Sequence, residues 1–281
     1  MKRKTLTKLL IVSLVFIVVG GMITLGTLAS GAKLNLTNLR IGHFNFLKWE
    51  NWTEHDDNEW NSDHHTDELY SIPTTSSTHT LQLDINIGEV TIQRGNQFAI
   101  QTENIPENEI TYEEKDGIST LSIHKNDILI NSIDDDYQIT ILVPDTIKVI
   151  DANLNCGDFD IENITLTSLR VTCNAGDVDI ENIKAETIDL TLDLGDLDFS
   201  GDYFNTMNVI NHCGDVDIQL ARAEAKYNHS CKVNLGSLSI NKRRQEGANI
   251  SSHNNANHAL PLSITVDLGD LDIRFAHHEN D

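Results

Sequence analysis

Between Leu81 and Phe275 apolar and polar residues alternate in short bursts, the period-two pattern of half-buried β-strands. One burst recurs as Gly157-Asp158-Phe159-Asp160-Ile161, Gly176-Asp177-Val178-Asp179-Ile180, Gly195-Asp196-Leu197-Asp198-Phe199 and Gly214-Asp215-Val216-Asp217-Ile218, the glycines 19 residues apart three times running. A weaker copy, Gly236-Ser237-Leu238-Ser239-Ile240, follows after 22 residues, and Gly269-Asp270-Leu271-Asp272-Ile273 after 33 more. Gly88-Glu89-Val90-Thr91-Ile92 is an outlying early copy. The stretch between bursts also alternates, as in Leu169-x-Val171-x-Cys173 and Ile188-x-Leu190-x-Leu192. One unit therefore holds two short strands with a bend at glycine. It cannot bury its apolar face alone, but equivalent units stacked about 4.8 Å apart share a continuous core.

The pattern predicts an all-β chain whose residues 151–275 form a β-solenoid of coils of about 19 residues. A β-sandwich is the alternative, although it does not naturally produce a constant 19. The stretch 241–263, with Lys242-Arg243-Arg244 and many Asn, His and Ser, reads as a loop insert before a capping strand, Ile264 to Phe275. Residues 79–150 use the same strand vocabulary without the period, in bursts such as Leu81–Ile85 and Ile139–Val143. They read as an amino-terminal β region that caps the coil and leads into it, covering its strand edge.

Upstream the pattern changes. Leu9 to Ala32 is a 24-residue run without charge, long enough for a transmembrane helix, and the basic lead 1–8 precedes it. A cleaved signal peptide is the competing reading, but its apolar stretch is usually shorter. We favour a single-pass anchor at 9–32 with the amino terminus cytoplasmic and the body extracellular. Residues 33–78 read as a polar stalk carrying Trp49, Trp52 and Trp60, and 276–281 as a tail.

Charge narrows the function classes. Against 43 acidic residues stand 20 Lys and Arg, a net charge of −23. Lys2, Arg3, Lys4 and Lys8 lie in the lead and no acid precedes Glu50, so the body is more acidic than the whole. Nucleic acid is excluded as a partner, because phosphate contacts need clustered Lys and Arg. The repeats place Asp158, Asp177, Asp196 and Asp215 in one column, and Asp160, Asp179, Asp198 and Asp217 in a second on the same outward face. Carboxylates so spaced repel by about 0.9 kcal/mol per pair even in water. The face must be solvated or neutralised. A solvated acidic face that keeps strands from sticking to other chains is the plainer reading. The alternative is a divalent cation, with these eight Asp residues as metal candidates for Ca²⁺; the Gly-Gly-x-Gly-x-Asp turns of known calcium coils are absent. No other cofactor is expected.

Cys156, Cys173, Cys213 and Cys231 fall on the inward phase, and the expectation is four buried free thiols. Cys156 and Cys213 share a column three coils apart, roughly 14 Å, which is beyond disulfide reach. His55, Asp56, Asp57, Asp63, His64 and His65 cluster in the stalk, but no regular element fixes their spacing for a metal. Nucleophile elbows, phosphate loops, dinucleotide fingerprints and His-Glu-x-x-His are missing. No catalytic residue is assigned.

An apolar anchor, a polar spacer, Gly88-Glu89-Val90-Thr91-Ile92, Ile141-Leu142-Val143-Pro144 and then a train of Gly-Asp-x-Asp-x units follow in that order. This order resembles the bacterial "putative adhesin" family of β-strand-repeat proteins, a domain of unknown function, over residues 80–275. It is similar also to the membrane-anchored member of a cell-envelope-stress operon. The resemblance implies an envelope protein of a Gram-positive bacterium and supplies no catalytic site. The expected function is non-enzymatic: a membrane-anchored protein presenting an acidic coil as a binding or scaffolding surface to an envelope protein or cell-wall component. The alternatives are an accessory regulator of envelope-stress signalling and, less favoured, a polysaccharide-active enzyme using a carboxylate pair.

Overall fold

The computed structural model describes residues 40–41, 44–45, 70–72, 78–124, 137–254 and 259–276. Two compact units divide the chain at Ser62 and Asp63. Of the first, one antiparallel pair is described, β1 (Arg40–Ile41) with β2 (Phe44–Asn45). The anchor, the tryptophans, the stalk histidines and His277-His278 lie outside the described residues. None of the described helices is long and apolar enough to cross a membrane.

The described residues of the second unit are almost all β-strand, with single 3-10 turns at Glu107–Glu109 and Glu224–Lys226. The unit opens with β3 (Tyr70–Ile72), β4 (Thr80–Ile85), β5 (Glu89–Arg94), β6 (Ala99–Glu103), β7 (Ile110–Lys115), β8 (Ile118–Ile123) and β9 (Gln138–Val143). It continues through β10 (Val149–Leu154), β11 (Phe159–Glu162), β12 (Ser168–Ala175), β13 (Val178–Leu194), β14 (Leu197–Cys213) and β15 (Val216–Leu220). β16 (Tyr227–Ile240), β17 (Arg243–His253) and β18 (Leu260–Phe275) complete it.

These strands stack as rungs, each crossing two faces with the glycine bend between them. Parallel partners in the repeat are 19 residues apart, as in Phe159 with Val178 and Val178 with Leu197. Equivalent inward positions therefore superpose. On one face Leu83, Ala152, Val171, Leu190, Val209 and Ile264 form a column, and all are buried. On the other, Val90, Phe159, Val178, Leu197, Val216 and Leu271 do the same. The two sets pack into one core, each large side chain contributing about 1.5–3 kcal/mol. This is the coil predicted from the period.

Both ends depart from that prediction. The early copy on β5 is itself a rung: Gly88 N–H donates to the Cys156 carbonyl, and β4 and β5 pair in parallel with β10 and β11. On its other side β4 pairs with β8 and β5 with β9. The chain leaves between these rungs to form β6 and β7, which cover β9 and β8 as antiparallel strands. β3, in a stretch read as stalk, pairs with β6.

At the other end, residues 243–253 are not loop but β17, antiparallel to β16. β18 is not the outer cap. It lies parallel between β16 on one side and β14 and β15 on the other. After Leu220 the chain thus skips one rung, builds β16 and β17, and returns to fill the vacancy. The crossing is pinned where Arg222 meets Asp202 at 2.9 Å and lies over the Phe204 ring at 4.9 Å. Beneath it Tyr203, Tyr227 and Phe275 stack with centroids 5.5 and 5.2 Å apart.

The thiols also need correction. All four are free, but only Cys173 and Cys231 are buried; Cys156 is exposed and Cys213 intermediate. The inward phase ends one residue before each glycine, where the chain bends, and Cys156 and Cys213 occupy that position. Burial pushes the Cys173 thiol up to about 11 and the Cys231 thiol up to about 12.

Candidate binding surface

The outward surface is set by the glycine bend. Gly195 has φ +146°, and a Cβ there would overlap the carbonyl oxygen of Gly176 one rung away. The rungs touch backbone to backbone at this column, which is why the motif opens on glycine.

The residue after the glycine carries the first Asp column. Each carboxylate turns along the stack and accepts the backbone N–H of its successor. Asp158 Oδ1 accepts from Asp177 N at 2.9 Å, Asp177 Oδ1 from Asp196 N at 2.8 Å, and Asp196 Oδ1 from Asp215 N at 2.7 Å. Through β18 the ladder continues from Asp215 to Asp270 N at 2.8 Å and from Asp270 to Ser237 N at 3.0 Å. Backbone donors that the bend removes from the sheet are thus satisfied by side chains. This column is architectural.

The second column differs. Asp160, Asp179, Asp198, Asp217 and Asp272 lie side by side in register. Partial burial, then repulsion from neighbouring carboxylates, holds Asp160 and Asp179 above the ordinary aspartate range. Asp198 and Asp217 are raised for the same first reason, with Arg274 opposing. Among the described residues no Lys, Arg or His forms an ion pair with Asp160, Asp179 or Asp198. The run ends at Arg274, whose Nη2 is 3.2 Å from Asp217 Oδ1 and whose Nε is 3.4 Å from Asp272 Oδ2.

Arg274 also marks the open space. A hollow of 190 Å³ between Glu181, Asp198, Asp217 and Arg274 adjoins a cleft of 620 Å³ lined by Asn182, Gln219, Asn241 and Lys242. Ser200, Gln219 and Arg274 border both. The surface thus passes from unneutralised carboxylates to a cleft edged by two cations and three amides. The eight Asp residues named from the sequence all lie on this face, in two columns with different work. Arg274, Gln219 and Lys242 were missed because none recurs in the repeat. Among the described residues no group of three or more His, Cys, Asp or Glu side chains is arranged to hold a metal ion.

A family model, Toastrack DUF4097, matches residues 47–276. The chain belongs to the Toastrack family. Among solved structures, the Toastrack chain is similar to a "putative cell adhesion protein" from Clostridium sporogenes at 20% identity and TM-score 0.48, covering 74% of this chain and 99% of that one. It is similar to a "putative adhesin" from Bacteroides fragilis at 15% identity and TM-score 0.46, covering 74% and 97%. A "putative lipid binding protein" from Parabacteroides distasonis gives 12% identity and TM-score 0.26, covering 75% and 96%. Among curated proteins nothing matches the Toastrack chain.

Proposed function

We propose that this Toastrack protein is a non-enzymatic component of the cell envelope. Residues 9–32 hold it in the membrane, and the coil stands outside as a binding and scaffolding surface. The observation that carries this reading is the second Asp column: a straight, solvent-facing row of carboxylates, crowded enough to raise their proton affinity and lacking cations until Arg274. Such a row is relieved by a partner that brings positive charge, so the partner is a cationic segment of an envelope protein or a cationic cell-wall component. Its repeated acids are interchangeable, which suits a multivalent surface and gives no single carboxylate pair the distinct environments that acid–base catalysis needs.

Site-specific photo-crosslinking in intact cells tests this. A crosslinker at Gln219 should capture a partner, and Asp179→Lys with Asp198→Lys should abolish the capture. Capture only from crosslinkers placed within residues 9–60 would overturn the proposal and favour a regulator that works through its anchor or stalk.

A further inference from the structure

One column of the coil breaks the alternation of polar residues outside and apolar residues inside. The residue before each motif glycine is, in stack order, Ile87, Cys156, Ala175, Leu194, Cys213, Leu268 and Leu235, apolar on every rung. The bend fixes that order. The glycine N–H of one rung donates to the carbonyl of this residue on the next, as from Gly88 to Cys156, Gly176 to Leu194 and Gly214 to Leu268. The column does not belong to the core. Leu194 and Leu235 are 57% and 55% exposed, Cys156 is exposed, and the other four are half-buried. Single surface leucines need no account, but a continuous apolar ridge does.

Acid fences this ridge on both flanks. Beyond the glycines runs the first Asp column, whose carboxylates keep their negative charge while each accepts one N–H. Arg244 reaches its far end, 3.5 Å from Asp270. On the opposite flank the residues two before each glycine are polar on every rung, and two of them are Asp193 and Asp267. His212 stands between these two, 3.9 Å from Asp193 and 2.6 Å from Asp267. Backbone groups along the ridge are spent on neighbouring rungs. A partner therefore cannot add a strand here and must contribute side chains.

We infer that the ridge is a docking surface for a basic amphipathic helix of a second protein. The apolar stripe of that helix seats on Leu194, Leu268 and Leu235, and its Lys or Arg side chains reach the acids on either flank. From Ile87 to Leu235 the ridge runs about 29 Å at the spacing of stacked strands, the length of a helix of about 19 residues. One helical turn rises about 5.4 Å against about 4.8 Å per rung, so successive turns meet successive rungs. Acid on both flanks selects a cationic partner and repels an anionic lipid surface. The ridge lies apart from the second Asp column, and the inference does not rest on the function proposed for that column.

Cys156 sits in the ridge and reports its occupancy. The full chain in phosphatidylcholine nanodiscs is labelled with a thiol reagent, and modification of Cys156 is followed by mass spectrometry. The probe is a synthetic Leu/Lys amphipathic helix of about 19 residues. At saturation it should slow labelling of Cys156 about fivefold or more, while the same peptide with Glu in place of Lys should not. Leu194→Ser with Leu235→Ser should raise the half-protecting peptide concentration about tenfold. The milder pair Leu194→Ala with Leu235→Ala serves if those serines prevent folding. Asp179→Asn with Asp198→Asn should change that concentration by less than about twofold, so loss of the acidic-face reading would leave this one standing. Unprotected Cys156 would overturn the docking surface, as would equal protection by the Glu peptide or protection that survives unaltered in the folded leucine variants. Protection by phosphatidylglycerol vesicles in place of the Lys peptide would overturn it in favour of a lipid surface.

Discussion

The two bends of each rung obey different rules. At the first, the central rungs repeat one solution: a positive-φ glycine in contact with the glycine below, then an Asp that accepts the next rung's N–H. At the second, neighbouring rungs disagree. Asn163 and Asn182 take φ +59° and +50° and are linked side chain to side chain at 2.8 Å. The next rung has Gly201 there, and after Leu220 the chain departs to skip a rung. The 620 Å³ cleft opens on this irregular side. Repetition marks what the stack requires in order to exist. Unlike charges and ligand-sized space occur where repetition fails.

The regular bend is the place to break this contrast most severely. Gly195→Ala forces a methyl group into the backbone of the neighbouring rung as well as into an unfavourable φ, and should cost about 3 kcal/mol or more. Gly247, on the terminal strand, has nearly the same φ, +144°, but nothing near its missing side chain. Gly247→Ala should cost about 1 kcal/mol, from backbone strain alone. Equal losses in denaturant titrations of the two variants would show that rung-to-rung contact is not what selects glycine.

The two Asp columns should respond with opposite sign. Asp177→Ala removes the acceptor for Asp196 N–H and should destabilise by about 1–2 kcal/mol, while Asp177→Asn, which keeps a carbonyl oxygen, should lose less. Asp179→Asn with Asp198→Asn should instead raise the melting midpoint at pH 7, by about 2 °C. The sign follows from linkage. Folding raises these two carboxyls, so the folded chain binds more protons between their unfolded and folded pKa values, and stability falls as pH rises through that window. At pH 7 the wild type carries the full penalty. Below about pH 3 both states are protonated and the advantage of the variant should vanish. Melting curves at the two pH values would expose a second column that is as structural as the first.

The mildest probe leaves the fold untouched. Thiol labelling of the native chain at pH 8 should modify Cys156 quickly and Cys213 more slowly. Cys173 and Cys231 should stay protected until unfolding, since burial both shields them and suppresses their thiolates. Fast labelling of Cys231 would mean that β17 does not close the end of the stack.

Much of this coil was legible in the sequence because period two and period 19 are the same constraint seen at two scales. Phe159, Val178, Leu197 and Val216 face inward for one reason and superpose for the other. What escaped notice did so for physical reasons too. Spacing counts along the chain and not along the stack, so the 33 residues between Gly236 and Gly269 hid the fact that Gly269 lies between Gly214 and Gly236. β17 was unreadable as a strand because an outermost strand has little to bury: Arg243 to Asn249 are all exposed. The two Asp columns look identical in sequence, and only the direction of each carboxylate distinguishes a backbone acceptor from a crowded charge.

The late arrival of β18 has a consequence for how the molecule is made. The bonding edges of β14 and β15 face a vacancy one strand wide until the last residues of the chain have emerged, and β16 must wait beyond that gap, about 9.6 Å away, without its parallel neighbour. A chain synthesised from its amino terminus therefore cannot complete the far end of its coil progressively. The strand pairings that join β18 to β14 and β15 span 55 residues, as do the contacts from Asp215 to Asp270, and closure of so long a loop is slow. β18 thus acts as a keystone: a chain that loses it forfeits two rungs rather than one, and leaves an open sheet edge.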